Sequence, residues 1–303
     1  MDLKNKLKGM PKVHYFNLDN RTDRRDWMEK QFSKYEIDYE RISGTKYLAS
    51  KNKEWKHLLL NPSEYKLLVP IAANAISHLD FLKRWLKESD DPYVLLMEDD
   101  YDLSLIEYWH FDWNYMMEHV PYDWDCLLLG FENPSGIPFH LHPIEPGHDF
   151  GPVLVRREYV EKIVDLHCVG DKYNLNHLNA NAVWNRNKDG SGSGTVDYFM
   201  VHGGRTYCLP LITINANFGS FENNSIIQRY HRQDGDINAR NTYYFWWRHQ
   251  RDLHSLEDFF TYGQNSKYLK LRPEIFGTYD MTGKSYEMYG ESYLNYYRKN
   301  SSC

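Results

Sequence analysis

The chain has 303 residues, of which 42% are hydrophobic, and it carries a formal net charge of -6. This length and composition predict one large or two modest globular domains with a sizeable core, and they argue against a disordered chain. Acidic residues outnumber basic ones by 42 to 36. Because non-specific nucleic-acid binding gains its affinity by neutralising phosphates with lysine and arginine, we expect no nucleic-acid partner.

The N-terminus is basic but lacks the apolar stretch of a signal peptide, and apolar runs of about five residues fall far short of a membrane span. We therefore expect no transmembrane segment and a soluble, cytoplasmic protein.

The four cysteines are widely spaced, at Cys126, Cys168, Cys208 and Cys303. Since they form no C-x-x-C pair, the sequence predicts neither a zinc site nor a disulfide framework. It does not indicate an oligomeric state.

The first part of the chain alternates predicted strands and helices. Residues 12–18 read as a strand, followed by a helix for which Thr22 is the expected N-cap, and residues 37–43 read as a second strand. A strong helix is predicted from Pro70 onwards, because proline suits a first helical turn and the apolar residues that follow repeat every four positions.

Continuous apolar segments predict three further strands. They lie at residues 93–97, 124–131 and 150–155, and the last is followed by a helical pattern at residues 157–167. Continuous apolar strands that alternate with helices are typical of a mostly parallel sheet covered on both faces. The predicted fold class is therefore α/β and Rossmann-like.

Two later regions lack a clear pattern. Residues 170–195 are rich in asparagine, glycine and serine and are predicted to form a long loop, which in a compact domain is usually functional or disordered. Beyond about Ser220 the chain is charged and aromatic with weak periodicity. We divide the chain into a domain at 1–228 and an aromatic-rich C-terminal extension at 229–303, whose role the sequence does not indicate.

An acidic cluster follows the predicted strand in "YVLLMEDDYDLSL", where Glu98, Asp99, Asp100 and Asp102 lie within five positions. Ligands of open α/β sheets bind beyond the carboxyl ends of the strands. Carboxylates this close repel one another unless a cation or hydrogen-bond donors share the site, and hard oxygen ligands suit Mg²⁺ or Mn²⁺. A solvated acidic turn that caps the next helix is the alternative.

A basic cluster follows the first predicted strand in "DNRTDRRD", where Arg21, Arg24 and Arg25 lie at the start of a helix. Guanidinium groups and a helix N-terminus both suit phosphate oxygens. A solvated helix face with Asp–Arg pairs is the alternative. The sequence has neither G-x-G-x-x-G nor G-x-x-x-x-G-K-[ST], which argues against the ordinary dinucleotide and P-loop sites.

Five segments follow one another along the chain: "FNLDNRTDRRDWMEKQF", "IDYERISGTK", "ISHLDFLKRWLK", "YVLLMEDDYDL" and "DWDCLLLG". In this order and spacing they resemble glycosyltransferase family 25, which includes lipopolysaccharide and lipooligosaccharide glycosyltransferases and relatives of the collagen galactosyltransferases and of the lysyl hydroxylase sugar-transferring domain. The resemblance spans residues 12–228 and leaves the remainder of the chain unplaced. It implies a GT-A fold, a UDP-galactose or UDP-glucose donor, and a divalent metal, usually Mn²⁺, on a D-x-D-like motif.

The resemblance leaves the metal ligands open between two alignments. Bacterial members would align Glu98, Asp99 and Asp100 with their E-D-D, whereas the lysyl hydroxylase pattern D-x-x-D would select Asp99 and Asp102. We rank Asp100 first, then Asp102 and Asp99, and assign Glu98 to the donor ribose or a structural hydrogen bond. The lysyl hydroxylase relatives carry a metal-binding histidine later in the chain, where this sequence offers Asn215 and Asn217, of which Asn217 is the candidate ligand.

The remaining site residues also follow from the resemblance. The candidates for donor binding are Asn17, Asp19, Arg21, Arg24, Ser77, His78, Glu98 and Asp99. A core histidine that binds no ligand is the alternative role for His78. Asp197, in "TVDYFM", is the candidate base that deprotonates the acceptor hydroxyl, with a helix N-cap as its alternative role.

The predicted activity is metal-dependent transfer of a hexose to a hydroxyl of a glycan, a lipopolysaccharide-type acceptor or a protein, with inversion at the transferred carbon. Lysyl hydroxylase relatives show that stereochemistry is not uniform in this group. Two alternatives remain at this stage. One is a metal-dependent nuclease or phosphatase that uses the acidic cluster, and the other is a catalytically inactive nucleotide-sugar-binding module.

Overall fold

The computed structural model describes residues 2–44, 57–60, 69–130, 139–144, 151–175, 196–215, 240–241 and 243–260. For residues 4, 69–71, 197 and 198 it describes the backbone alone. Within these ranges, no helix is both long enough and apolar enough to cross a membrane.

Five of the seven strands in the main sheet run in the same direction. In sheet order they are β2 (Tyr39–Ser43), β1 (Val13–Asn17), β3 (Tyr93–Glu98), β7 (Val153–Arg156), β5 (Cys126–Leu128), β10 (Thr206–Cys208) and β6 (His142–Pro143). β7 is antiparallel to both of its neighbours and β6 is antiparallel to β10, whereas the other three pairs are parallel. The mostly parallel α/β sheet predicted from the sequence is confirmed.

Two short strand pairs lie outside the main sheet. β4 (Tyr101–Asp102) pairs with β11 (Thr213–Ile214), and β8 (Cys168–Val169) pairs with β9 (Lys172–Tyr173). Gly170 lies at the turn between β8 and β9 with a φ of 59°, a conformation that favours glycine because it has no Cβ. Most of the loop predicted at residues 170–195 lies outside the described residues.

The α-helices whose bounds are given by the described residues are α1 (Leu3–Lys6), α2 (Thr22–Tyr35), α3 (Val69–Glu88), α4 (Trp113–His119), α5 (Arg157–His167) and α6 (Leu256–Phe260). 3₁₀ turns span Ser104–Tyr108 and Arg251–Leu253, and π-helical turns span Asp197–Val201 and Trp246–Gln250. The helix predicted with Thr22 as its N-cap begins at Thr22 itself. Arg21 is the N-cap and provides no capping side-chain hydrogen bond.

Helices cover both faces of β1, because alternate residues of a strand point to opposite sides. Tyr15 contacts α2 through the ring of Phe32 at a centroid distance of 5.3 Å and through a 2.9 Å hydrogen bond to Glu29. On the other face, Phe16 stacks on His78 of α3 at 3.7 Å. The last residue of β1, Asn17, follows the same alternation and points to the α2 face.

The apolar sequence of β7 predicted that the strand is buried on both faces, but it did not predict the direction of the strand in the sheet. Its residues Val153, Leu154 and Val155 are each 0% exposed, since β7 lies between β3 and β5 in the middle of the sheet. An apolar run reports burial on both faces. Such a run does not indicate strand direction, and β7 is in fact antiparallel to both β3 and β5.

The described C-terminal residues pack into the same core as the sheet. Tyr243, Trp246, Trp247, Phe259 and Phe260 are all buried and belong to the core cluster that contains the strands. The indole of Trp247 donates a 2.7 Å hydrogen bond to the carbonyl of Pro210, next to β10. The predicted boundary at 228/229 lies outside the described residues and stays a prediction.

Candidate active site

The candidate site lies where the strand order of the main sheet reverses. From β1 the chain passes through α2 to β2 on one side, and from β2 it returns through α3 to β3 on the other side of β1. In such sheets ligands bind in the crevice beyond the carboxyl ends of the strands at this switch point. The acidic cluster follows β3, and the arginines follow β1.

Asn17 connects the carboxyl ends of β1 and β3. Its side-chain amide donates hydrogen bonds to Asp99 Oδ2 at 2.7 Å and to the carbonyl of Arg21 at 3.0 Å. Its Oδ1 accepts a 3.3 Å hydrogen bond from Arg41. Asn17 is 2% exposed, so these bonds satisfy a buried amide.

Arg24 lies against the acidic cluster. Its NH1 is 2.6 Å from Asp99 Oδ1 and 3.2 Å from Asp100 Oδ2. Burial alone would lower the pKa of Arg24, but the carboxylates of Asp100 and Asp99 outweigh it and raise that pKa. The basic cluster that follows β1 and the acidic cluster that follows β3 are therefore in direct contact through Arg24.

Asp102 makes a separate set of contacts. Its Oδ1 accepts hydrogen bonds from the backbone and hydroxyl of Ser104 at 2.9 and 2.5 Å. Its Oδ2 accepts a 3.1 Å hydrogen bond from the Tyr244 hydroxyl and lies 3.3 Å from Arg240 NH2. The Asp102 side chain is 4% exposed, and two of its partners come from the C-terminal region.

The segment after β11 runs beside the acidic cluster. Thr213 pairs with Asp102 in the β4–β11 ladder, and the backbone amide of Asn215 donates a 2.6 Å hydrogen bond to the carbonyl of Asp100. The structure therefore places Asn215 next to the cluster, as the resemblance implied for this region. The other asparagine, Asn217, lies outside the described residues.

Glu98 and Asp19 are held by residues outside the acidic and arginine motifs. Glu98 Oε1 accepts a 3.0 Å hydrogen bond from Asn74 of α3. Asp19 accepts hydrogen bonds from Arg41 at 2.8 Å and from Ser43 at 2.9 Å, which are the middle and last residues of β2. Arg21 forms a two-bond pair with Asp23, at 2.9 and 2.7 Å.

Ser77 and His78 lie buried on α3 and bond to the backbone of their own helix. The Ser77 hydroxyl donates to the carbonyl of Ala73 at 2.8 Å, and His78 Nδ1 lies 3.0 Å from the carbonyl of Asn74. Burial lowers the pKa of His78 to about 4, so its imidazole is neutral at neutral pH. Its packing on Phe16 matches the core role considered from the sequence, and a donor role stays a prediction.

The candidate base Asp197 is the first residue of the π-helical turn Asp197–Val201. Its side chain is outside the described atoms, so a role as base or as N-cap stays a prediction. The turn itself is fixed by Tyr159, whose buried hydroxyl donates a 2.8 Å hydrogen bond to the carbonyl of Phe199.

The sequence interpretation missed Arg41, Ser43, Asn74, Arg240 and Tyr244 as neighbours of the site. Arg41 and Ser43 had a usable signal, because both lie towards the carboxyl end of a predicted strand. Asn74 precedes His78 by one helical turn and so lies on the same face of α3. Arg240 and Tyr244 had no signal, since they lie in a region without clear periodicity.

The comparisons with known proteins bear on this part of the chain. Residues 10–109 match the family model described as "Glycosyltransferase family 25 (LPS biosynthesis protein)". The matched segment contains β1, α2, β2, α3, β3 and the acidic cluster. The match covers 100 of the 303 residues. It supports glycosyltransferase activity, for which the family implies a nucleotide-sugar donor and an acceptor.

The other two comparisons add little to the family 25 match. No curated protein matches the chain. Among solved structures, one titled "Crystal Structure of A197 from STIV" is similar at 15% sequence identity, over 67% of this chain and 84% of that chain, with a TM-score of 0.34. At so low a TM-score this likeness supports no inference about function.

Proposed function

We propose that this family 25 glycosyltransferase transfers a hexose, galactose or glucose, from a UDP-sugar to a hydroxyl of a glycan, lipopolysaccharide-type or protein acceptor, with inversion. The observation that carries the proposal is the buried contact of Asn17 and Arg24 with Asp99. It joins the carboxyl ends of β1 and β3 at the switch point of the sheet, where α/β folds bind nucleotides.

The residues present fit a divalent cation, Mn²⁺ or Mg²⁺, by their donor chemistry. Such ions often use one or two carboxylates together with substrate phosphates, and the cluster offers Asp100, Asp102 and Asp99 in that order of preference. Among the described residues no three His, Cys, Asp or Glu side chains converge as a metal-binding group. The remaining ligands of the cation would therefore be phosphate oxygens of the bound donor. A bound cation would neutralise the charge that develops on the departing diphosphate.

The protein's own part in the reaction is positioning and electrostatics. The acceptor oxygen forms a bond to the anomeric carbon while the bond from that carbon to the diphosphate breaks. The acceptor proton passes to a carboxylate, for which Asp197 is the candidate. Asn17 and Arg24 hold Asp99 rigidly at the base of the site, which keeps the neighbouring Asp100 in place.

A donor panel tests the proposal directly. The protein is heated with UDP-, GDP-, CMP- and dTDP-sugars, each with and without Mn²⁺, and release of the nucleotide is assayed separately at ambient temperature. At a ligand concentration of 100 times Kd, binding adds about 2.7 kcal/mol of stability, so we expect UDP-hexose to raise Tm by about 5 °C or more. If no nucleotide-sugar shifts Tm or is turned over, the proposal is wrong.

The acidic cluster is tested by the substitution Asp100→Asn. It replaces the first-ranked candidate carboxylate for the divalent cation with a neutral amide, and we expect nucleoside diphosphate release to fall by about 100-fold or more while Tm stays near the wild-type value. Asp26→Asn, on an exposed position of α2, is the matched control and should retain activity. Unchanged turnover in Asp100→Asn would show that the cluster is misassigned.

The same experiments separate the two alternative functions. A catalytically inactive binding module would show a Tm shift with a nucleotide-sugar but no release of nucleotide in the presence of any acceptor. A nuclease or phosphatase would release phosphate or nucleotides from polynucleotides or phosphomonoesters and would ignore UDP-hexose. Either result would contradict the transferase proposal.

A further inference from the structure

Arg240 and Tyr244 belong to the C-terminal region, and their side chains contact the acidic cluster. Arg240 NH2 is 3.3 Å from Asp102 Oδ2, and the Tyr244 hydroxyl donates to the same oxygen at 3.1 Å and contacts the hydroxyl of Ser104. Asp102 is 138 positions away from Arg240 in sequence. The contact therefore depends on the path of the folded chain.

Both residues are held by a rigid base. Trp246 is 1% and Trp247 is 0% exposed, and the Trp247 indole bonds to the carbonyl of Pro210. Arg240 and Arg248 both stack on Tyr244, with guanidinium carbons 5.2 and 5.0 Å from the ring centroid. Stacking of this kind holds a guanidinium group in place.

Arg240 retains hydrogen-bonding capacity. Its Nε is inaccessible to solvent and finds no acceptor among the described residues, and its contact with Asp102 is at the long end of the hydrogen-bond range. Because Nε itself is buried, a ligand would bond to the terminal N–H groups of the guanidinium group. The side chain is 31% exposed, so one side of the guanidinium can meet a ligand.

The charge balance of the cluster indicates what that ligand is. A phosphate that approaches Asp99, Asp100 and Asp102 is repelled unless positive charge accompanies it. Arg24 is already engaged by Asp99 and Asp100 at 2.6 and 3.2 Å. Arg240 comes from a distant part of the chain. Among the described residues, Asp102 is the one carboxylate with which it forms an ion pair.

We propose that Arg240 binds the diphosphate of the nucleotide-sugar donor, with Tyr244 and Asp102 as the residues that position its guanidinium. The inference rests on the proposed nucleoside diphosphate-sugar donor. It gives the otherwise unplaced C-terminal region a role in the donor site: its positive charge faces the phosphates that leave with the nucleoside. No covalent step is assigned to Arg240.

The test compares how tightly UDP, UMP and uridine bind to wild type, Arg240→Gln and Arg248→Gln, by titration calorimetry of the full chain in the presence of Mn²⁺. Loss of a charge-assisted contact to the diphosphate should weaken UDP binding by about 10- to 100-fold in Arg240→Gln. Uridine should bind equally to wild type and Arg240→Gln. Arg248 stacks on the same ring but bonds to the Tyr108 hydroxyl, so Arg248→Gln should bind UDP within about twofold of wild type.

Arg240→Lys keeps the charge and guards against a variant that does not fold. Because lysine cannot reproduce the guanidinium geometry, we expect UDP affinity between those of wild type and Arg240→Gln. Equal UDP affinity in wild type and Arg240→Gln would overturn the inference and leave the proposed donor intact. Equal weakening of UDP and uridine would overturn it as well, since that is the result of a purely structural role. Failure of the proposed donor is distinguishable, because wild type itself would then not bind UDP.

Discussion

Arg24 NH1 donates a 2.6 Å hydrogen bond to Asp99 Oδ1 across 75 positions of sequence. The side chains are 10% and 7% exposed, so both charges have left bulk water. Such a pair is costly to assemble and more costly to break, because removal of one partner leaves a buried charge uncompensated. This contact ties α2 to the end of β3 and fixes the base of the candidate site.

We expect Arg24→Gln to lower the free energy of unfolding by about 3 to 5 kcal/mol, since Asp99 would remain buried without its counter-charge. Urea unfolding followed by far-ultraviolet circular dichroism measures the loss. Arg25→Gln, one position along the same helix, is the control and should change stability by less than about 0.5 kcal/mol. Equal stability of the two variants would contradict the structural role of the Arg24–Asp99 pair.

Stability should fall as the pH drops from about 6.5 towards 4. Burial lowers the pKa values of His78 and His142 to about 4 and that of His140 to about 3. Since the unfolded chain binds these protons near pH 6.5 and the folded chain does not, protons favour unfolding in this window. For His78 the effect at pH 4 is on the order of 3 kcal/mol.

The measurement for this pH effect is the unfolding free energy at about pH 7 and about pH 4.5 for wild type and His78→Phe, a variant that cannot titrate at this position. The difference between the two pH values should be smaller in His78→Phe. His119→Gln removes an exposed imidazole on α4 and should leave the difference as in wild type. An identical pH dependence in wild type and His78→Phe would show that His78 is not buried in its neutral form.

Trp247→Ala should cost about 3 to 5 kcal/mol, because it empties a fully buried position in the core. This result would establish that residues 243–260 stabilise the sheet domain. Leu253 lies in the same region but is 59% exposed, and Leu253→Ala should cost less than about 0.5 kcal/mol. Thermal and urea unfolding measure both changes, and a small loss in Trp247→Ala would contradict the packing of its side chain in the core.

Gly151→Ala should prevent native packing or cost several kcal/mol. A Cβ at residue 151 would lie 1.9 Å from the carbonyl oxygen of Gly130, and backbone cannot yield as a flexible side chain can. A Cβ at Gly170 would meet no described atom within 4 Å, but the φ of that residue is 59°, so Gly170→Ala should cost only about 1 to 2 kcal/mol. Soluble yield and Tm compare the two, and a Gly151→Ala variant of native stability would contradict the close approach.

The order of strands and helices up to residue 167 could largely be predicted from the sequence. The helix predicted at 157–167 is observed at Arg157–His167, and the strand predicted at 93–97 is observed at Tyr93–Glu98. Local periodicity sets these elements, because burial of one face of a helix or of both faces of a strand leaves a repeating apolar pattern. The acidic and basic motifs could be recognised as parts of one site for a related reason: both follow strands.

The tertiary structure determines which side chains are in contact at the site. The sequence did not indicate which partners Asp99, Asp100 and Asp102 have. In the structure, Asp99 contacts Asn17 and Arg24. Asp102 instead contacts Ser104, Tyr244 and Arg240. Neighbouring residues on a bent loop point in different directions, and their partners come from distant parts of the chain. Such contacts depend on long-range packing, which no local periodicity encodes. The direction of β7 and the return of Arg240 to the acidic cluster have the same origin.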